Sequence, residues 1–441
     1  MKKYSFPLLM SLFILIEAVP AGAEVAIQCP GDLNGDAVPD QYFFRRNGTP
    51  NPNRPNPDYD PAVKCLHLAA GDGFATMADG HSQYIFSFND LTGVADNPAT
   101  AQDERLLGGI LAAALPAPTI TVDEGDKLYL SLTNVGMMMR PDLFDPHTVH
   151  WHGFPNASSV FDGVPDASIS INMGFTLTYF YNVVEPGTYM YHCHVEAAEH
   201  MQMGMLGNLY VRPKQNKTGF GGDPSTVARL GGNNNSNAPL GYAYNDGDGS
   251  TAYDKEFPIL IESFDGNFHD QHLAVQPLPF YYMRDNYPML NGRGYPDTVN
   301  PSPLPADAMA GTDINGNPIV SQKLSSLIEA APGDRVLLRI SNLSVTHFYT
   351  LATTGVPMKV VGYNARILRG PSPDNGITPG KDLYYTTSSV TLGGGENLDA
   401  ILEIPANATS GTTYFLYTTN LNYLSNGTED FGGMMTEIRI L

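Results

Sequence analysis

The sequence of 441 residues has few charged side chains, and basic ones are the scarcest. Lys, Arg, Asp and Glu make up 16% of the chain, and 45 acidic residues outnumber 24 basic ones, giving a formal net charge of −21. Because an acidic surface repels polyanions, we expect no nucleic-acid partner. The same surface favours solubility and the binding of cations.

Long apolar runs are also scarce. The apolar run of residues 6–16 is short for a membrane span, and no later segment is long enough. Two lysines precede this run, and the small residues 21–23 offer a cleavage site after it. We therefore expect residues 1–23 to be a signal peptide, with an uncleaved N-terminal anchor as the alternative. The mature protein would then be secreted, periplasmic or at the cell surface, without a membrane span.

Cysteine is limited to three residues. In an oxidising compartment Cys29 and Cys65 could form a disulfide, although sequence alone does not show that their sulfurs meet. Cys193 is left over, and an unpaired thiol in an exported protein is a liability unless a metal occupies it. We expect the first two cysteines to be bonded and the third to bind a metal.

Sustained helical periodicity is absent, whereas turn-forming residues are frequent, with 44 Gly and 35 Pro. Residues 119–134 contain two alternating apolar runs around Glu-Gly-Asp, and residues 327–342 repeat this pattern around Pro-Gly-Asp. Alternating runs around a glycine turn predict paired strands. The sequence therefore predicts an all-β protein of two β-sandwich domains with a common ancestry.

Composition divides the chain into parts. A Pro- and Asn-rich stretch follows the signal, and a stretch rich in Gly, Asn, Asp and Ser separates two strand-rich regions. Such a composition is typical of a linker or a surface excursion. The predicted parts are the signal peptide (1–23), an N-terminal extension (24–64), a metal-binding domain (65–213), the linker or excursion (214–256) and a second domain (257–441).

Histidine is concentrated in one region, because six of the 11 histidines fall between residues 147 and 200. Neighbouring side chains on a strand point to opposite faces. Cys193 therefore points away from the histidines on either side of it, toward the face to which His147 also points. The other face receives what we call the four-histidine group, which consists of His150, His152, His192 and His194.

Two further residues complete the group around the cysteine. His200 lies on the loop after Cys193, and Met205 follows it by five residues, with Met203 as a competitor. Two imidazoles, a thiolate and a weak thioether are the ligands of a blue-copper electron-transfer site. Zinc and unmetallated histidines are the alternatives, but the methionine and the strand-loop arrangement argue against zinc. We predict copper at this cysteine group, which consists of His147, Cys193, His200 and Met205.

The four-histidine group offers nitrogen ligands that suit copper or zinc. Two of its members, His192 and His194, are covalent neighbours of Cys193, so an electron arriving at the cysteine group has a short through-bond path to the second group. This arrangement suits an oxidase or reductase, in which one metal collects electrons and the other passes them to a small oxidant. The alternative is four histidines that hold no metal.

These motifs resemble those of the multicopper oxidases. The resemblance rests on His-x-x-His-x-His-Gly at 147–153, Phe-Asp-Gly-Val-Pro at 161–165 and Glu-Pro-Gly-Thr-Tyr-Met-Tyr-His-Cys-His at 185–194. Residues 289–296 and 332–342 are similar to strand signatures of the same family. The resemblance implies two cupredoxin-like Greek-key sandwiches, the second without copper motifs. It also implies that the cysteine group binds type 1 copper, that His150 binds type 2 copper, and that type 3 copper is bound by His152, His192 and His194.

The sequence departs from the family pattern in two ways. The loop from Cys193 to His200 is longer than usual, and the family's trinuclear cluster takes eight histidines, half of them from another domain. The second domain offers no His-x-His pair. We therefore expect a homo-oligomer, a dimer or a trimer, in which neighbouring subunits combine their histidines. The alternative is a smaller site like that of the two-domain copper nitrite reductases, with one histidine from a neighbour's second domain, taken from His269, His272 and His347.

A separate motif near the N-terminus alternates oxygen-bearing side chains around a glycine. Such loops favour calcium, and this one is similar to the calcium loops of dockerin-like and thrombospondin-like repeats. A plain turn rich in Asp and Asn is the alternative. The candidate calcium ligands are Asp32, Asn34, Asp36, Val38 and Asp40.

We therefore predict an exported, copper-dependent oxidoreductase. It would take electrons from a small-molecule or protein donor near His200 and pass them through Cys193 to the four-histidine group, where dioxygen is reduced. Three alternatives remain: a nitrite reductase-like enzyme, a blue-copper electron carrier, and a copper-binding or copper-resistance protein. Copper content and spectra would separate these alternatives.

Overall fold

The computed structural model of the chain describes residues 25–96, 103–155, 157–274, 277–313, 315–374 and 378–441. Strands dominate these residues and form two β-sandwiches, so the predicted all-β fold class is confirmed. The predicted signal peptide, residues 1–23, lies outside the described part of the chain. Among the helices that are described, none has the length and apolar character needed to cross a bilayer.

The N-terminal extension is joined to the first sandwich by a disulfide. Cys29 and Cys65 are bonded, with their Cα atoms 5.8 Å apart, which confirms the predicted pair. Ala37 and Val63 pack around the bond in a small apolar cluster. The extension also has a hairpin of its own, formed by β1 (Tyr42–Phe44) and β2 (Pro50–Pro55).

The first sandwich consists of two four-stranded sheets. Each sheet has one apolar face, because every second residue of a strand points to the same side. Leu128, Leu130 and Leu132, which lie on one strand, point into the shared core in this way. The strands are β3 (Val63–Thr76), β4 (Ser82–Asp90), β5 (Ala117–Asp123), β6 (Lys127–Gly136), β7 (His150–His152), β8 (Thr176–Asn182), β9 (Gly187–His192) and β10 (Leu206–Arg212). One sheet has the order β4-β3-β6-β8 and the other β5-β10-β9-β7.

Strand β9 is buried along its whole length because both of its faces are covered. Tyr189 and Tyr191 point into the core of the first sandwich. Met190 points the other way and packs against Leu260 of the second sandwich. The strand that leads into Cys193 therefore lies between the two domains.

The chain between the two sandwiches contains short helices and strands and packs on the second sandwich. It contains helix α3 (Gln215–Thr218) and the short ladder of β11 (Gly241–Tyr242) and β12 (Ala252–Tyr253). Tyr244 and Tyr253 are buried in an apolar cluster with residues of the second sandwich. Two single 3-10 turns, Pro224–Thr226 and Arg229–Gly231, complete the segment.

The second sandwich pairs a seven-stranded sheet with a five-stranded one. Its strands are β13 (Lys255–Phe264), β14 (Tyr287–Leu290), β15 (Leu304–Pro305), β16 (Val320–Gln322), β17 (Ile328–Ala330), β18 (Arg335–Asn342), β19 (Tyr349–Thr353), β20 (Met358–Tyr363), β21 (Arg366–Ile367), β22 (Tyr385–Thr387), β23 (Ser389–Leu392), β24 (Asn397–Glu403), β25 (Thr413–Thr418) and β26 (Met435–Ile440). The larger sheet follows β14-β13-β18-β24-β20-β21, with β22 also on β20, and the smaller follows β17-β26-β25-β19-β23. Strands β15 and β16 form a separate ladder.

Short helices lie around the sandwiches. Helix α2 spans Ala197–Gln202, in the loop after Cys193, and carries His200. The other elements are α1 (Glu104–Leu107), α4 (Gly266–His272) and the 3-10 turns Ser159–Phe161, Phe280–Tyr282, Asp297–Val299, Ala308–Ala310 and Leu421–Tyr423.

A buried ion network joins the two domains beside β9. The Arg339 guanidinium donates to the hydroxyl of Thr188 at 2.9 Å and lies 3.4 Å from a carboxylate oxygen of Asp399. The hydroxyl of Thr188 donates to the same carboxylate at 2.5 Å. Arg339 and Asp399 are fully buried, and because buried charges are costly unless paired, this network holds the domains in one arrangement.

Candidate metal centres

The cysteine group lies at the end of β9, inside the first sandwich. The sulfur of Cys193 is 3.3 Å from Nδ1 of His200 and 3.9 Å from Nδ1 of His147. The two imidazole rings are 5.0 Å apart, and the three side chains are fully buried. The structure therefore brings one thiol and two imidazole nitrogens together within metal-ligand reach.

Met205 reaches this group through strand pairing. The backbone N–H of Cys193 donates to the carbonyl of Met205 at 3.1 Å, which places these residues opposite each other. Cross-strand neighbours share a face, so the Met205 side chain lies on the side of the Cys193 sulfur. The carbonyl of its competitor Met203 instead accepts from the backbone of Phe86. This register favours Met205 as the thioether neighbour.

Burial makes the cysteine group a poor place for charged side chains. It raises the pKa of the Cys193 thiol to about 11 and lowers the pKa of His200 to about 4. Burial also holds the pKa of His147 well below its usual range. Neutral imidazoles are ready ligands, and a soft cation that replaces the thiol proton would stabilise a thiolate here.

The four-histidine group lies on the opposite face of the β7-β9 pair. The ligand atoms of His150, His152 and His192 all lie within 4.8 Å of one another. The ring of His194 lies 5.0 Å from that of His150 and 5.7 Å from that of His192. The structure thus brings together the four imidazoles that strand alternation predicts.

Backbone carbonyls orient two of these imidazoles. Nδ1–H of His150 donates to the carbonyl of Asp162 at 2.6 Å, and Nδ1–H of His192 donates to the carbonyl of Cys193 at 2.9 Å. Each bond leaves Nε2 unprotonated and able to bind a metal, and Nε2 of His192 lies 3.3 Å from Nδ1 of His152. Burial lowers the pKa of His150 and lowers that of His192 to about 3, so both rings are neutral.

The four-histidine group opens into a cavity of about 670 Å³ between the domains. The second domain supplies the facing wall, which includes His347, Gly395 and Glu396. Gly395 packs closely, since a Cβ added there would lie 2.9 Å from Nε2 of His152. His347 is therefore the histidine of the second domain that shares the cavity within one chain.

His269 and His272 lie elsewhere. Both are buried on α4, and the ring of His272 packs 5.0 Å from that of Phe86, on the side of the cysteine group. The two ring nitrogens of His269 contact the carbonyls of Tyr84 and Gln202 at 2.6 and 2.8 Å. Neither residue lines the cavity of the four-histidine group.

The candidate calcium loop folds on itself. The carboxylate of Asp32 accepts from the backbone N–H groups of Asn34, Gly35 and Ala37. Asp36 accepts from Val38, and Asp40 accepts from Leu33. These bonds are those of an Asp- and Asn-rich turn. Among the described residues, the sets of three or more potential ligand atoms that lie within 4.8 Å of one another belong to the cysteine group and the four-histidine group.

Sequence reasoning missed two carboxylates beside His200. Asp145 Oδ2 and Glu196 Oε2 each lie 4.0 Å from Nε2 of His200. Asp145 precedes His147 by two residues and Glu196 precedes His200 by one helical turn, so their closeness in sequence was the available signal. Asp162, whose carbonyl holds His150, stands out in the sequence only as part of the Phe-Asp-Gly-Val-Pro motif at 161–165.

The donor set fits copper. Two nitrogens, a thiolate and a thioether suit a metal that alternates between a soft and a borderline oxidation state, whereas four imidazoles suit copper or zinc. Nδ1 of His147 is the nitrogen that faces the Cys193 sulfur, and its Nε2 is buried without a hydrogen-bond partner.

Comparison with known proteins agrees with this chemistry. The family model described as multicopper oxidase matches residues 107–216. Multicopper oxidase MmcO of Mycobacterium tuberculosis is 37% identical over 103 residues, which is 22% of this chain and 19% of that protein. The L-ascorbate oxidase of Cucurbita pepo is 33% identical over 121 residues, 26% of this chain and 20% of that protein. The chain thus spans about a fifth of the length of the curated relatives it matches.

Solved structures extend the likeness to both domains at the level of the fold. The blue copper oxidase of Nitrosomonas europaea superposes with a TM-score of 0.56 at 21% identity, covering 86% of each chain. The copper nitrite reductase of the same organism gives a TM-score of 0.52 at 16% identity, covering 86% of this chain and 94% of that one. The two sandwiches are therefore cupredoxin-like. Residues 107–216, which contain Cys193 and all the histidines of both groups, are the part of the chain that matches the multicopper oxidase family model.

Proposed function

We propose that this protein is a copper-dependent oxidoreductase in which the cysteine group binds type 1 copper and the four-histidine group binds the copper that meets the oxidant. One observation carries the proposal. The end of β9 directs Cys193 into the first sandwich and His192 into the interdomain cavity, so the two groups lie back to back on one strand pair. Copper, when bound, would supply one-electron redox chemistry.

The residues between the two groups have clear tasks. The backbone from Cys193 to His192 and His194 links the groups covalently, and the His192–Cys193 hydrogen bond fixes the ring at one end of that path. The buried walls of the cysteine group exclude water from the sulfur. Rigid ligands limit rearrangement when an electron moves, which favours fast transfer.

Dioxygen is the acceptor that we propose. The four histidines and His347 fall short of the eight that the family's trinuclear cluster takes, so a second copy of the chain would complete the cluster. We therefore propose a homo-oligomer, a dimer or a trimer, in which four-histidine groups or second domains of neighbouring subunits meet. The electron donor, a small molecule or a protein, would approach His200.

Nitrite is the second candidate acceptor, and His347 favours it. A smaller site needs a single histidine from a second domain, and His347 lines the cavity that the four imidazoles face. A carrier without turnover and a copper-binding protein are the remaining alternatives.

Metal analysis with spectroscopy tests the proposal. The copper-loaded protein should hold more than one copper per chain, with an intense visible band and a paramagnetic signal of type 1 copper. Turnover with dioxygen should exceed turnover with nitrite, and the reverse result would favour the second candidate. One blue copper without turnover would leave the carrier, and a colourless, copper-loaded protein would overturn the proposal.

Two further parts of the proposal concern the N-terminal region. We propose that the protein is exported, because the Cys29–Cys65 disulfide suits an oxidising compartment. Calcium at Asp32, Asn34, Asp36, Val38 and Asp40 stays a prediction. Isothermal titration with calcium tests this prediction, and the absence of binding would leave the loop as a plain turn rich in Asp and Asn.

A further inference from the structure

The hairpin of the N-terminal extension carries an isolated group of basic side chains. We call residues 42–55, which comprise β1, β2 and the turn between them, the arginine hairpin. Its charged residues are Arg45, Arg46 and Arg54, in a chain whose formal net charge is −21. All three arginines are exposed. The hairpin is therefore a positive surface on a strongly acidic protein.

The three guanidinium groups have no carboxylate partner within the described part of the chain, where no Asp or Glu oxygen lies within 4.0 Å of them. Arg105, Arg335 and Arg369, in contrast, are each paired with an aspartate. Carboxylates are abundant in this protein, so three exposed arginines without one are available to an external anion.

A tight turn ends the arginine hairpin. The backbone N–H of Gly48 donates to the carbonyl of Arg45 at 2.9 Å, and the N–H of Arg45 donates to the carbonyl of Thr49 at 2.8 Å. Gly48 has a φ of +77°, a left-handed conformation that glycine adopts without strain. Arg46 lies inside this turn, at the end of the hairpin.

The other two arginines lie on one face of the hairpin. The Arg54 guanidinium lies 5.0 Å from the centre of the Phe43 ring, a cation–π contact across the two strands. Strand alternation directs Arg45, two residues after Phe43, to the same face. This face and the turn together form a continuous basic strip.

The base of the hairpin is fixed to the rest of the extension. The buried amide of Asn56 donates to the carbonyls of Gly31 and Asp40 at 2.8 and 2.9 Å. Beyond this base, β1 and β2 pair with no other strand of the described chain. Arg46 lies roughly 15–20 Å along the chain from Asp40, about twice the Debye length at physiological ionic strength. The acidic residues at the base therefore neutralise the end of the hairpin only weakly.

The form of the basic strip distinguishes between polyanions. A flat bilayer would contact mainly the turn, where residues 46–49 offer no apolar side chain for insertion. Single-stranded nucleic acid needs open aromatic rings for its bases, whereas Arg54 covers Phe43. A linear polymer can follow the strip and meet all three charges, and hydroxyl groups on such a polymer suit Asn51 and Asn53 of β2.

We infer that the arginine hairpin binds acidic polysaccharide, a linear polymer of sugars that bear carboxylate or sulfate groups. A guanidinium pairs with such planar or multidentate anions through parallel hydrogen bonds. Because the acidic body of the protein repels a polyanion, contact is confined to the hairpin and binding falls steeply with added salt. The inference is independent of copper, since the hairpin contains no residue of either ligand group.

Binding of the full, copper-loaded chain to soluble polymers tests this inference. Heparin carries sulfate and carboxylate groups, polygalacturonate carries carboxylate alone, and neutral dextran is the reference. At least one acidic polymer should bind in calorimetry at low ionic strength, and dextran should not. The triple variant Arg45→Gln, Arg46→Gln, Arg54→Gln should bind it about tenfold more weakly or less, because each exposed charge pair contributes up to about fivefold in affinity.

A matched variant removes three charges from other parts of the surface. It combines the substitutions of three exposed residues, Lys64→Gln, Arg229→Gln and Lys381→Gln. Its net charge equals that of the hairpin variant, yet it should bind the polymer as the unmodified protein does. Equal weakening in the two variants would show a response to net charge and would overturn the inference. Equal melting temperatures would show that the hairpin variant is folded.

Other partners of the hairpin would give different results. Phosphatidylglycerol vesicles and a single-stranded DNA oligonucleotide are titrated in parallel, and self-association is followed by sedimentation. If the hairpin variant loses binding to vesicles, to DNA or to a second copy while neither acidic polymer binds the unmodified chain, the inference is overturned. A colourless protein that still binds heparin through the hairpin would contradict the proposed function and leave this inference standing.

Discussion

The two ligand groups share one pair of strands but differ in almost every physical respect. The cysteine group is fully buried within one sandwich, and its members come from a short stretch of the first domain. The four-histidine group is less completely buried, faces a cavity of about 670 Å³ and meets the second domain there. The first can hold its metal with little movement, whereas the second leaves room for a small oxidant.

The difference shows how one polypeptide can separate electron storage from oxidant chemistry. A pleated strand presents two environments one residue apart, so Cys193 is dry while His192 borders the cavity. Each environment should therefore respond to its own substitutions. If the two groups are independent, a substitution in one group will change the copper bound there and leave the copper of the other group unchanged.

The largest effect is expected from Cys193→Ser. A serine oxygen cannot replace the soft thiolate, so the intense visible band should disappear completely while copper remains at the four-histidine group. Absorption spectra and copper analysis check this result, with Asp430→Asn, which removes an exposed carboxylate remote in sequence from both groups, as the control. A blue Cys193→Ser protein would show that the band arises elsewhere.

Removal of His192 should affect the other group alone. In His192→Ala the blue band should persist, and turnover should fall by more than about 100-fold, because a direct ligand is lost. Paramagnetic resonance and copper content measure the loss of the second metal. Simultaneous loss of the blue signal would mean that the two groups fold as one unit.

A smaller effect is expected from Gly395→Ala in the second domain. The added Cβ would lie 2.9 Å from Nε2 of His152 and should weaken copper binding at the four-histidine group by about tenfold, with the blue band unchanged. Gly333→Ala is the matched control, since that residue has a similar positive φ and an added Cβ there meets nothing within 4 Å. Equal behaviour of the two variants would assign the effect to backbone strain.

The smallest effect concerns pH. The pKa of His192 is lowered to about 3 in the folded protein, so below pH 6.5 the unfolded chain takes up a proton that the native chain refuses. The free energy of unfolding therefore falls as pH decreases from 6.5 toward 3. Removing this group in His192→Phe should reduce that slope by about 1.4 kcal/mol per pH unit in the metal-free protein. Urea unfolding between pH 6.5 and 5 measures it, and equal slopes would contradict the burial of His192.

The sequence predicted what depends on strand periodicity. Alternation separates Cys193 from His192 because the period of two is a local property of the backbone. It also predicted the all-β class, since turn residues punctuate the alternating runs. It did not predict that the chain around His200 forms α2, because six residues are too few to show helical periodicity.

Features that depend on domain packing were beyond sequence reasoning. Gly395 approaches His152 only because the domains meet, and no local pattern marks either residue for the other. His347 and His272 are similar in sequence terms, yet one lines the interdomain cavity and the other packs beneath Phe86. Tertiary contact, not composition, decides which of them can approach a metal.

The ion network beside β9 has a mechanical consequence. Thr188, five residues before Cys193, is bonded to Asp399 and Arg339 of the second sandwich. Separating the two sandwiches would therefore displace β9, the strand that leads into Cys193. On heating the copper-loaded protein, the blue absorption should decrease when the domains separate, at a lower temperature than the unfolding of the first sandwich. The absorption would then report on the contact between the domains.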